Sequence, residues 1–195
     1  MKVATLVLAA GKSTRMGSPK QLLKLGNTTL LGKVIESVCS IPNNSVFCVL
    51  GANADLIEKS IESYDITTVR NKNYDQGLSS SIIAGIQHVS ELDVDLVLIV
   101  LGDQPKIESE YLKLMIQLAL EKKDSIITSR YQKRNGVPAI FPKKYFKNLL
   151  NLQGDKGASK LLNSEEFPIY VINESVDLVD IDTQDDYQNL LNNGN

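Results

Sequence analysis

Short runs of apolar, β-branched residues alternate along this chain with longer stretches in which apolar positions recur every three or four residues. Val3–Ala9, Ser45–Leu50, Thr67–Arg70, Asp95–Leu101 and Ser125–Ser129 read as strands. Leu30, Leu31, Val34, Ile35 and Val38 repeat at helical spacing, as do Ile82, Ile83, Ile86 and Val89, and later Tyr111, Leu114, Met115 and Leu118. Each set predicts a helix that lays an apolar stripe on a sheet. Such alternation predicts parallel βαβ units and an α/β fold. Leu96–Leu101 is apolar throughout, as expected of a strand covered on both faces. Smaller extended pieces are expected at Ala139–Phe141, Ile169–Ile172 and Leu178–Asp180. A last helix, Gln184–Leu191, should follow Thr183, with Asp186 placed to answer that cap, and Asn192–Asn195 should fray. Residues 133–173 break the alternation. They predict small extra β elements on one side of the sheet, a natural seat for a second substrate.

The first strand stops at Ala9-Ala10-Gly11, and Lys12, Ser13, Thr14, Arg15 and Lys20 follow closely. A buried strand that empties into such a loop offers backbone N–H groups and positive side chains to an anion. Open α/β sheets bind ligands at the carboxyl ends of their strands. Gly11-Lys12-Ser13 is not the tail of a P-loop, because position 6 is Leu where that motif needs Gly. Nor is it a dinucleotide fingerprint, because positions 13 and 16 are Ser and Met. What remains is L-A-A-G-x-S-x-R-M-G-x-x-K, which is less easily read as a mere basic surface turn. Gly11 would let backbone approach phosphate oxygens, Arg15 and Lys20 would hold the β/γ- and α-phosphates, and Lys12 would contribute or stay solvated.

Two further stretches carry chemistry. Leu96–Leu101 ends in Gly102-Asp103-Gln104-Pro105, which puts a carboxylate at the end of a central strand, where it can meet Mg²⁺. An Asp this close to Pro also forms turns. Gln76-Gly77-Leu78-Ser79-Ser80-Ser81 feeds a helix. Ser79 or Ser80 would cap it, and the remaining hydroxyls could read the edge of a base.

Composition narrows the partners. The 195 residues suit one domain with a sizeable core, and the net charge of −2 argues against nucleic acid as a partner. No apolar run approaches membrane-spanning length, and no signal peptide precedes the first strand. Cys39 and Cys48 form no metal motif and read as buried hydrophobes in a reducing cytoplasm. His88 is the single histidine, so a His-rich metal site is excluded and a surface position after a helix is expected.

The opening loop and Gly-Asp-Gln-Pro resemble the signatures of nucleotidyltransferases with a Rossmann-like fold. With Gly136–Pro142, Leu152–Ala158 and Val179–Thr183, five blocks in order resemble the molybdenum cofactor cytidylyltransferases over nearly the whole chain. The resemblance implies a three-layer α/β fold of the nucleotide-diphospho-sugar transferase kind, a mostly parallel twisted sheet with helices on both faces. It implies one domain over 1–195, with a nucleotide part at about 1–105 and an acceptor part at about 106–195. It further implies Mg²⁺-dependent transfer of CMP from CTP to molybdopterin carrying molybdenum, in the cytoplasm, in service of a molybdenum hydroxylase.

Residue by residue, Ala9, Ala10, Gly11, Lys12, Ser13, Arg15 and Lys20 would border the nucleotide, and Gly77, Ser80 and Ser81 would line its base pocket. Arg15, Lys20 and Asp103 would carry catalysis. Asp103 would bind Mg²⁺ with Asp180 as second ligand, and Asp155, Lys156 and Asp182 would face the acceptor. Asp182 serves equally well as a helix-start cap, and Asp155 and Lys156 as a Gly-rich turn. Guanylyltransferases of the same pathway tend to carry Ala-Gly-Gly in place of Ala9-Ala10-Gly11, and Pro before the run matching Ile83-Ala84-Gly85, so this chain favours CTP. Other readings are a different donor or acceptor (GTP, or a sugar or polyol phosphate) and a non-catalytic accessory protein that binds the cofactor.

Overall fold

In the computed structural model, which describes residues 1–131, 134–172 and 178–193, strand β1 (Val3–Ala9) is buried along its whole length. Its one polar side chain, Thr5, donates to Asn44 Oδ1 at 2.8 Å. β1 pairs in parallel with β4 (Asn44–Leu50) on one side and β6 (Leu96–Leu101) on the other. A hairpin of β2 (Lys24–Leu25) and β3 (Thr28–Thr29) stands apart. With β5 (Thr67–Arg70), β7 (Ile126–Tyr131), β8 (Arg134–Pro142) and β9 (Ile169–Val171), the main sheet has the order β5-β4-β1-β6-β8-β7-β9. Within the main sheet, among the described residues, β8 alone runs against its neighbours.

The period of two along each strand explains the three layers. Val7, Leu98 and Val100 face α1 (Leu30–Cys39) and α4 (Ser109–Glu121). Leu6, Val97 and Ile99 face the other way, toward α3 (Leu78–Ser90), α5 (Phe146–Leu150) and α6 (Ser159–Leu162). The short α2 (Ala54–Ser60) buries Ile57, and α7 (Gln184–Asn193) closes a small cluster of Leu30, Ile181 and Leu190. Thr183 and Asp186 cap α7 reciprocally: Asp186 N–H donates to Thr183 Oγ1 at 3.2 Å, and Thr183 N–H to Asp186 Oδ2 at 2.8 Å. None of the helices described is long and apolar enough to cross a membrane.

Several expectations need correction. β8 joins the main sheet between β6 and β7 and β9 joins its edge, with α5 and α6 packed on one face, so within residues 134–172 the β elements belong to the main sheet instead of forming an annex; Lys133 and Asn173, the limits of that segment, lie outside the described residues. Leu178–Asp180 is not a strand. α7 runs to Asn193, two residues beyond the expected Leu191; Gly194 and Asn195 lie outside the described residues. The buried stripe of α4 is Tyr111, Leu112, Met115 and Ala119, while Leu114 and Leu118 are half-buried. The buried face is rotated by about one position from the expected one. Cys48 is fully buried, and burial pushes its thiol up to about 12, but Cys39 is exposed at the last position of α1, beyond the final sheet contact. His88 lies within α3, half-buried, its ring 5.2 Å from that of Phe47.

α3 approaches the sheet closely because Gly85 has no side chain. A Cβ there would lie 2.7 Å from Leu6 Cδ1 and 3.2 Å from Val49 Cγ2. Gly85→Val is therefore expected to destabilise the protein by about 1–3 kcal/mol through overpacking, as read by thermal denaturation.

Candidate active site

Neighbouring parallel strands end on the same side of a sheet, so the loop after β1 and the turn after β6 emerge together. A backbone bond from Gly102 N–H to Leu8 O, 2.9 Å, continues the pairing to that end. The loop is shaped by Gln21, which is 3% exposed. Its Nε2 donates to Ala9 O at 3.1 Å and to Gly11 O at 3.2 Å. Ser13, at φ 53°, donates to Gln21 Oε1 at 3.2 Å and accepts the Lys20 N–H at 3.1 Å. Ser13 thus ties the loop together, and its hydroxyl is already engaged. Gln21 was missed in the sequence, where a polar residue before Leu22-Leu23 gives little signal.

Folding the loop back brings Lys20 against the end of β6. Lys20 Nζ lies 2.5 Å from Asp103 Oδ2 and 2.7 Å from Asp182 Oδ1, and Arg15 Nη1 lies 3.5 Å from Asp182 Oδ2. Asp182 is held there by its neighbour Ile181, which is buried and donates its N–H to Asp103 O at 3.1 Å. The four charged groups form one chain from the exposed Arg15 to the buried end of β6. Burial acts to lower the pKa of Lys20, but the charges and hydrogen bonds of Asp103 and then Asp182 outweigh it and raise it. Asp103 Oδ1 is buried and has no hydrogen-bond partner among the described residues.

Gln104, 1% exposed, was also missed. Its Nε2 donates to Asp180 Oδ1 at 2.6 Å and to the Tyr131 hydroxyl, which in turn donates to Val137 O. Asp180 as a whole is exposed, yet the partial burial of its carboxyl, followed by the nearby Asp103 charge, raises its pKa.

A cleft of about 600 Å³ opens over these groups. Ala9, Ala10, Gly11, Lys12, Ser13, Arg15, Lys20, Asp103, Gly77, Ser81, Asp155 and Asp182 all line it. Lys12 Nζ sits 5.6 Å from the ring centroid of Tyr74, on the same wall. The expected cap and base pocket need adjustment. Gly77, not Ser79 or Ser80, takes the capping position of α3, at φ 95°. A Cβ there would meet Asp155 Cα at 2.9 Å, so the position needs Gly both for its backbone and for the docked 154–157 loop. Ser79 is buried. Ser80 does not line the cleft; its hydroxyl accepts from Asn71 and donates to Gly77 O. Asp180 and Lys156 line a neighbouring pocket of about 240 Å³, with Arg134 and the apolar Leu8, Ile82 and Val137.

The geometry matches known proteins. The chain is 27% identical over 190 residues to the purine catabolism protein PucB of Bacillus subtilis (strain 168), covering 92% of this chain and 91% of that protein. It superposes with a TM-score of 0.86 on the crystal structure of a Mycobacterium tuberculosis rv0371c homolog from Mycobacterium sp. strain JC1, at 32% identity, covering 99% of this chain and 98% of that one. A complex of Rv0371c from Mycobacterium tuberculosis H37Rv with manganese superposes with a TM-score of 0.79 at 29% identity, covering 98% of this chain and 99% of that one. The family model described as the MobA-like NTP transferase domain matches residues 5–168, from within β1 to the residue before β9. A match of that extent, over a sheet and a cleft built as described, makes this chain a member of the MobA-like NTP transferase domain family and a nucleotidyltransferase.

Proposed function

We propose that the enzyme transfers CMP from CTP to the terminal phosphate of molybdopterin carrying molybdenum, giving the cytosine dinucleotide form and pyrophosphate. The observation that carries this reading is the meeting of Lys20 and Asp103, 2.5 Å apart, in a cleft that also contains Gly11, Arg15 and Ser81. Choice of CTP is supported by Ala9-Ala10-Gly11 and by the absence of Pro before Ile83-Ala84-Gly85, the two places where guanylyltransferases of the pathway tend to differ. The name of PucB, a purine catabolism protein, agrees with service to a purine-oxidising hydroxylase.

A divalent cation fits the residues present. Asp103 Oδ1 is a buried acceptor without a partner among the described residues, and hard cations take carboxylate and phosphate oxygens. Asp103 would hold Mg²⁺, with Asp180 as the further carboxylate. Among the described residues no group of three His, Cys, Asp or Glu could hold a metal unaided, so triphosphate oxygens would complete the shell. The manganese complex of Rv0371c supports such a site. When bound, the ion neutralises and orients the triphosphate.

The chain's own groups do the remainder. Lys20 gives up Asp103 for the α-phosphate, and Arg15, 72% exposed at its side chain, swings onto the β/γ-phosphates. Asp182 steadies both cations. An oxygen of the acceptor phosphate forms a bond to the α-phosphorus. The bond from that phosphorus to the bridging oxygen breaks, and pyrophosphate leaves with the electron pair. The attacking phosphate is already anionic, so no general base is needed; alignment and charge neutralisation supply the rate. The neighbouring pocket seats the acceptor, its apolar wall against the ring system and Arg134 and Lys156 available to anionic groups.

The test is incubation with CTP, Mg²⁺ and authentic molybdenum-loaded molybdopterin. Pyrophosphate and the cytosine dinucleotide should appear in equal amounts. Tight cofactor binding without pyrophosphate would instead mark an accessory protein, and faster turnover with GTP would overturn the donor assignment.

A further inference from the structure

Asn71 stands just after β5, is 5% exposed, and has every polar hydrogen of its side chain committed. The Asn73 N–H donates to Asn71 Oδ1 at 2.9 Å, which fixes the amide so that Nδ2 faces α3. One Nδ2 hydrogen goes to Ser80 Oγ at 2.9 Å and the other to Ser81 Oγ at 3.1 Å. Ser80 passes its own proton to the Gly77 carbonyl at 2.8 Å, so that hydroxyl is spent inside the protein. Ser81 is different. It is 3% exposed, it lines the cleft, and its hydroxyl proton has no acceptor among the described residues. An oxygen that already accepts from an amide turns its proton toward whatever lies on its open side.

We propose that Asn71 is a positioning residue for nucleobase choice. By donating to Ser81 Oγ, it makes that hydroxyl present its proton to the cleft and so favours a base with an acceptor at ring position 3. Cytosine offers two adjacent acceptors, O2 and N3, whereas uracil carries a donor at N3. The inference rests on the reading of the cleft as a CTP site, and it deepens that reading by naming how cytosine is told from uracil. The serines alone do not determine this polarity; a serine hydroxyl donates or accepts according to its neighbours, and here the neighbour is an amide whose own orientation is fixed from behind.

Asn71→Asp tests it, because a carboxylate of the same shape can only accept. It would draw the Ser81 proton inward and leave an acceptor facing the cleft. Dissociation constants for CTP, UTP and GTP, each with Mg²⁺, should be measured by titration calorimetry on the unmodified protein, Asn71→Asp and Ser81→Ala. The preference for CTP over UTP should fall by about tenfold in Asn71→Asp, the worth of one hydrogen bond. It should also fall in Ser81→Ala, which folds without depending on the introduced charge and decides the matter if Asn71→Asp does not fold. An unchanged ratio in either folded variant, with the unmodified protein preferring CTP, overturns the inference and leaves the proposed function standing. An unmodified protein that binds GTP more tightly than CTP overturns both.

Discussion

Asp103→Ala is expected to lower pyrophosphate release by about a thousandfold or more while leaving the protein folded. The carboxylate is asked to do two things at once. Its buried Oδ1 is the acceptor that a cation would use, and its Oδ2 holds Lys20 at the end of β6. Removing one preorganised electrostatic group from a transition-state site costs about 10²–10³ in rate, and loss of the ion's anchor adds to that. Stability should respond far less. Breaking a buried ion pair can cost about 3–5 kcal/mol when the partner is left stranded. Here Lys20 keeps Asp182 at 2.7 Å, and the substitution also removes an unpaired buried oxygen. A change within about 1 kcal/mol is expected, or a melting shift of about 2–4 °C for a chain of this size. Normal turnover in this variant would refute the role given to Asp103.

Lys20→Met separates the cation from the anion in the same pair. The variant keeps the length of the stem but leaves Asp103 and Asp182 without their shared positive charge. Pyrophosphate release should fall by about a hundredfold or more, as expected for loss of a charge that meets the developing transition-state charge. Binding of Mn²⁺ without nucleotide should move in the opposite direction, because Lys20 no longer occupies the carboxylates. A variant that loses Mn²⁺ affinity along with activity would contradict the competition between Lys20 and metal.

The pH behaviour of the intact enzyme follows from the same pair. The folded pKa of Lys20 is raised above 10.5. Its ion-pair stabilisation is therefore fully present below that value and is lost only as pH rises through the higher folded one. Lys20 should stay protonated across neutral pH, and the rate profile there should carry no step from it.

How much of this was legible beforehand depended on the range of the interaction. β1 and β6 announced themselves because each is a local apolar run, and their ends carry Gly11, Lys12, Arg15 and Asp103 directly in the sequence. Parallel pairing then brings the two ends together without further instruction. Gln21, Asn71 and Gln104 were not legible. Each is a buried amide whose partners are backbone groups or side chains on another element, and polar residues near strand ends look alike until the chain is folded. Ser80 and Ser81 could not be told apart either, since both accept from Asn71 and their different fates depend on which one donates to Gly77 O and which one faces the cleft. β8 was read as a short outlying piece for a related reason. It pairs with β7, its neighbour in the chain, but its place inside the sheet comes from long-range antiparallel pairing with β6, which leaves no local mark in the sequence.

The acceptor side shows the same limit. Lys156 and Asp180 were placed in the sequence as an acceptor contact and a metal ligand. They now line one pocket with Arg134, whose part could not be seen because it lies on β8, far along the chain. Asp155 and Asp182 instead line the larger cleft, with Asp182 bridging Arg15 and Lys20.

The account stands most directly on whether the loop after β1 and the turn after β6 serve a single triphosphate. A crystal structure of the protein with CTP and Mg²⁺ measures this. It should show the phosphates between Lys20 and Arg15, the ion on Asp103, and the cytosine against Ala10 and Ser81. A nucleotide that leaves Lys20 still paired with Asp103, or that touches one of these loops without the other, would contradict it.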